Sequence, residues 1–133
     1  MGQRLHVGMP TVIEAYADRS PYAAVFEDDG DYAYFYGLDT REEQQPVVDF
    51  VYVYCVTEVP ERYRPRDVEL VWSPDQLRVA LLIDGYPHAA FDFVAKRAYC
   101  RSNFPTRSSW SAVGHEWDDA AVDFLGGTAQ SAP

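Results

Sequence analysis

The stretch "VELVWSPDQLRVALLIDGYPHAAFDF", residues 68–93, decides the fold. Its β-branched and aromatic residues recur in short alternating runs, the pattern of strands rather than helices. Two turn signals divide it. In "SPDQ", Pro74 has its φ fixed where a type I turn needs it, and Asp75 follows. Asp84-Gly85 fits a two-residue hairpin loop, because both residues tolerate positive φ. The segment therefore reads as a three-stranded antiparallel meander. Pro87 cannot donate a ladder hydrogen bond, so its end of the last strand is predicted to lie at an edge or a distortion.

Working outward, further strands are predicted at Leu5–Val7, Tyr22–Glu27, Tyr32–Tyr36 and Val47–Val56, with a short one at Ala98–Cys100. Within the opening stretch the strands are Val68–Trp72, Leu77–Ile83 and His88–Phe93. The polar, proline-bearing segments "LDTREEQQP" and "TEVPERYRPRD" read as surface loops. Near the C-terminus the period changes. Trp117, Ala120, Ala121, Phe124 and Leu125 form one stripe of a helix, Glu116, Asp118 and Asp119 load its first turn, and Gly126-Gly127 ends it. The expected fold is α+β and mainly β, an antiparallel meander sheet of six to eight strands with one C-terminal helix packed on it. Residues 1–126 are expected to form one globular domain, and 127–133 a flexible tail with nothing to bury.

The bulk composition narrows the function classes. A net charge of -10 and a pI near 4.5 repel phosphate backbones and anionic lipid, so nucleic acid and membranes are poor partners and a basic protein or a cation a better one. No apolar run is long enough for a membrane helix, and "MGQRLHVG" lacks the apolar core of a secretory signal, so a cytoplasmic chain with reduced Cys55 and Cys100 is expected.

The acids of "VFEDDGDYAYFYG", residues 25–37, could mark a metal loop or a turn. A calcium loop needs a bidentate acid six residues beyond its glycine, and Tyr36 stands there instead. A two-residue turn on Asp29-Gly30 sets Asp28 opposite Asp31, an unfavourable pairing that needs compensation. Alternation puts Ala24, Phe26 and Phe35 on one face, and Val25, Tyr32, Tyr34 and Tyr36 on the other. In the next strand Val51, Val53 and Cys55 face one way, and Phe50, Tyr52 and Tyr54 the other. The tyrosine side is either half-buried under the C-terminal helix or a partner surface rimmed by Glu27, Asp28, Asp29 and Asp31.

Catalytic signals are sparse. Cys100 in "RAYCRS" has Arg97 and Arg101 nearby in sequence to favour a thiolate, and His88 or His115 as a base, but no glycine-rich elbow accompanies it. His88, read as opposite Leu81, could pair with Asp84 or Asp92 as an acid and base, or be a hydrogen-bonded core histidine. The histidines lack zinc-ligand spacing, and no phosphate-binding glycine pattern occurs, so no metal and no cofactor is expected. The basic island of Lys96, Arg97, Arg101 and Arg107 either pairs with the chain's own acids or meets an anion.

Together, "VFEDDGDYAYFYGLD", "VELVWSPDQLRVALLIDGYPHAAFDF" and "RAYCRSNFP" resemble an uncharacterised bacterial family, the domain of unknown function 2251. That resemblance implies a small bacterial cytoplasmic protein and carries no activity or catalytic residues. Three functional readings follow. The first is a protein-binding module, such as an immunity protein against a basic toxin. The second is a small-ligand protein or hydrolase-like enzyme built on Cys100, His88, Asp84 and Arg101. The third is a homodimeric structural protein joined through its aromatic side.

Overall fold

The computed structural model describes residues 2–102, 110–111 and 114–126. Its strands form two antiparallel sheets instead of one. Strands β1 (Gly2–Leu5), β6 (Arg66–Trp72), β7 (Arg78–Ile83), β8 (Tyr86–Asp92) and β9 (Arg97–Cys100) lie side by side in that order. The second sheet runs β2 (Thr11–Tyr16), β3 (Tyr22–Asp28), β4 (Tyr32–Asp39) and β5 (Val47–Cys55). The mainly β, antiparallel character is as expected, but the single meander is not. Strands β2–β5 make one meander and β6–β9 the other, β1 adds beside β6, and the chain crosses between the sheets after β1 and again at the proline-bearing connection after β5. Two sheets with one apolar face each bury those faces together, which a single layer cannot do.

The core lies between them. Phe26, Phe35 and Val51 from the four-stranded sheet meet Val79, Leu81 and Phe91 from the five-stranded one, all essentially inaccessible. Each such side chain contributes about 1.5–3 kcal/mol of burial. Phe35 and Phe91 pack with ring centroids 5.1 Å apart. Gly37 makes room for that contact, since a Cβ there would stand 2.9 Å from Phe91 Cδ1.

The turns of the opening stretch form as their chemistry requires. Asp84 and Gly85 take φ of 54° and 78°, and Ile83 pairs with Tyr86 across them. Gln76 N–H donates to Ser73 O at 2.9 Å, closing the turn that contains Pro74. Pro87 does sit at a distortion. Leu82 pairs with Pro87 and Leu81 with Ala89, so His88 is the extra residue of a β-bulge. His88 therefore shares Leu81's position with Ala89, a correction to simple pairing.

The tip of the β3–β4 hairpin is one residue further on than expected. Asp29 N–H donates to Tyr32 O at 3.0 Å and Asp28 pairs with Ala33, so the loop is Gly30-Asp31 and Asp28 does not oppose Asp31. Asp28 follows Ala24 and Phe26 onto the inner face, where it is completely buried.

The predicted C-terminal α-helix is also corrected. Asp119–Leu125 is a 3-10 segment interrupted at Val122, with Asp118 capping it by accepting from Ala120 N–H at 2.9 Å. A three-residue period sets Ala121 and Val122 beside Phe124 and Leu125, whereas Ala120, counted in the helical stripe, is exposed. The segment covers Ala80, Leu82, Ala90 and Tyr99 on the outer face of the five-stranded sheet. Arg78 clamps it there, 2.9 Å from Asp123 and over the Phe124 ring. The tail 127–133 lies outside the described residues.

Candidate functional site

Two regions gather the chemistry. One is the outer face of the four-stranded sheet. Alternation along β4 and β5 puts Tyr32, Tyr34, Tyr36, Phe50 and Tyr52 there, with Tyr34 paired to Tyr52 and Tyr36 to Phe50 across the strands. Their rings form a continuous layer, with centroids 5.1 Å apart for Tyr34–Tyr52 and 5.9 Å for Tyr36–Phe50. Tyr36 donates to Glu27 Oε1 at 3.0 Å. Partial burial, followed by that hydrogen bond, raises the Tyr36 phenol well above its ordinary range. Burial and the nearby Asp29 charge raise Tyr34 in the same direction.

Two residues assigned to this face are elsewhere. Tyr54 sits beyond a second bulge, because Tyr34 pairs with Tyr52 and Ala33 with Tyr54, leaving Val53 as the extra residue. Tyr54 turns inward and donates to Asp28 Oδ2 at 2.6 Å. Asp28 accepts two further bonds at 2.8 Å, from Gly8 N–H and Gly30 N–H, so the buried carboxylate keeps its solvation from the chain itself. The acids left at the tip are Asp29 and Asp31. Asp29 accepts from the Asp31 and Tyr32 amides at 2.9 Å, and these bonds, Tyr32's first, hold its pKa below the usual carboxylate value.

The second region is a cleft of about 330 Å³ at one end of the sandwich, with Leu5, Val53 and Ile83 among its walls. The β8 bulge delivers His88 to it, and Arg66 enters from the start of β6. Burial, then the positive charges of Arg101 and Arg66, push His88 down to about 4 despite the opposing Asp84. It is a neutral imidazole at neutral pH.

The predicted catalytic group does not assemble as one hydrogen-bonded site. Cys100 is a core residue whose thiol donates to Tyr52 O at 3.3 Å and lies 3.2 Å from Ser102 Oγ; burial raises its pKa, away from a thiolate. Among the described residues no hydrogen bond joins it to His88. Arg101 is held between the Tyr86 and Trp117 rings and donates to Pro87 O at 2.6 Å. Asp84 stays at its turn, accepting from Asp67 N–H at 2.9 Å. His115, the other candidate base, has Nε2 2.8 Å from Asp49 Oδ2 in a buried pair. That pair was missed, although Asp49 shares the parity of Val51 and Val53, and an acid on a core-facing position is itself a signal.

Residues 5–125 match the model of a family described as "Uncharacterized protein conserved in bacteria (DUF2251)". The chain belongs to this family. It is also 42% identical over 84 residues to a protein of Haemophilus influenzae described as "Uncharacterized protein", a stretch covering 63% of this chain and 52% of that protein. The match thus spans about half the length of that curated relative. No solved structure matches the chain. Among the described residues of this DUF2251 protein, no helix is long and apolar enough to cross a membrane.

Proposed function

We propose that the protein is a binding module for a basic polypeptide, docked on the tyrosine face of the four-stranded sheet. One observation carries this reading. The C-terminal segment, which could have covered that face, packs on the outer side of the opposite sheet. Tyr32, Tyr34, Tyr36 and Phe50 therefore remain partly or fully accessible among the described residues. Tyrosines offer large contact area and a hydroxyl at low entropic cost, and they are frequent anchors of protein interfaces. Glu14, Glu27, Asp29 and Asp31 lie on or beside this face, in a chain whose net charge is -10. Such a rim steers a cationic partner and adds salt dependence to association. Neutralisation of a basic toxin by an immunity protein is one biological form of this role. The Cys100 and His88 enzyme reading has less support, because the thiol is buried and bonded within the core.

The test is capture of basic proteins from the native cell by wild-type protein and by the Tyr34→Ala/Tyr36→Ala variant. The partner should be retained at about 0.05 M salt and released at about 0.5 M. Each hot-spot tyrosine should account for roughly 2 kcal/mol, so the double variant should lose most binding at low salt. Equal capture by both proteins would place the contact elsewhere.

A further inference from the structure

The cleft is lined by two polar groups, Arg66 and His88, that the chain does not fully bond. Arg66 Nη2 donates to Pro60 O at 2.6 Å and Nη1 is 3.8 Å from Asp84 Oδ2, but the buried Nε has no acceptor. The His88 ring is half-buried and makes no hydrogen bond among the described residues. Buried polar groups in folded proteins are nearly always bonded, so the Arg66 Nε requires an explanation, and the His88 ring stands on the same cleft.

Charge decides the class of ligand. Asp84 is shared by Arg64 at 3.7 Å and Arg66 at 3.8 Å, so one carboxylate faces two guanidinium groups at loose range. Arg101 adds positive potential at His88. Glu58, the acid on the cleft wall, is exposed to solvent, and Asp28 lies behind Tyr54, where three donors from the chain hold its oxygens. Three arginines, Arg64, Arg66 and Arg101, thus stand around Asp84 and His88. The remaining wall is apolar, and a volume of about 330 Å³ lies at the small end of the range for small-molecule sites.

We infer that the cleft binds a small carboxylate with an apolar body, its oxygens accepting from Arg66 Nε and the His88 ring N–H, and its body lying against Leu5, Val53 and Ile83. This site is separate from the tyrosine face, so either reading can fail without the other. Octanoate and its neutral isostere octanamide are suitable probes, titrated calorimetrically into the full chain at neutral pH. Octanoate should bind about tenfold tighter than octanamide, the worth of one charge-assisted contact. Its binding should shift the His88 ring resonances and raise the pH at which that ring titrates. Arg66→Gln should remove the preference while still admitting octanamide. Because Arg66 also bonds Pro60 O, Arg66→Lys serves as a second variant, keeping the charge and part of the preference. Equal affinity for both probes would overturn the inference, as would octanoate shifts confined to other residues or no binding of either probe to the folded wild-type protein.

Discussion

A histidine that the fold keeps neutral makes stability depend on pH in a defined window. Burial pushes His88 down to about 4 in the folded protein, against an ordinary value of 6.5 in the unfolded chain. Between those values the unfolded chain binds a proton that the folded chain refuses, so stability falls as pH drops through 6.5 and levels off below about 4. The full loss is about 3 kcal/mol, at roughly 1.4 kcal/mol per unit. Urea unfolding at pH 7 and pH 4.5 should show most of it in wild type, and His88→Gln should lack this part of the difference. An identical pH response in both would mean that the ring is solvated. At this scale, parity along a strand was readable for Asp28 and Asp49, which share their side with Phe26 and Val51 respectively. What the parity could not contain was their partners. Gly8, Tyr54 and His115 are distant in sequence, and only the closed sandwich brings them to the acids.

Among the elements, β4, an inner strand of the four-stranded sheet, has little room to spare at Gly37. Gly37 on β4 faces the Phe91 ring, and an added methyl would sit 2.9–3.1 Å from three of its atoms. Gly37→Ala should destabilise by about 1–3 kcal/mol through overpacking, measured as a lower urea midpoint with little change of slope. A neutral result would show that Phe91 shifts freely. The sequence conveyed β3, β4 and β5 because their runs alternate cleanly. It concealed β2, an edge strand whose outward residues include Val12 and Tyr16 beside Glu14, so its exposed side is not polar enough to mark the alternation. The C-terminal stripe was visible as apolar spacing, but periods of 3 and 3.6 barely diverge over two turns, and contact with Ala80 and Leu82 favours the tighter coil.

For the whole molecule, the dominant long-range term is self-repulsion. A net charge of -10 on 133 residues opposes compaction, and the ion pairs among described residues are mostly exposed and weak. The thermal midpoint should therefore rise as sodium chloride increases from about 0.01 M to about 0.5 M at pH 7, because screening relieves more repulsion than attraction. A falling midpoint would mean that the arginine pairs outweigh the repulsion. Strand identity was legible from local residues, whereas assignment to sheets was not. Alternation states that a strand has an inner side, but the partner of that side depends on where the chain crosses over.

The bulges at Val53 and His88 also bear on how this chain can change length. A residue removed from a regular strand reverses every side chain beyond it, sending core groups to water. A residue removed at a bulge instead restores ordinary pairing and leaves both flanks facing as before. Loss of Val53 would keep Tyr54 directed at Asp28, and loss of His88 would keep Pro87 and Ala89 opposite Leu82 and Leu81. Single-codon deletions within β5 and β8 should therefore survive at these positions and fail at their neighbours, which gives the family a route to remodel the cleft without dismantling the sandwich.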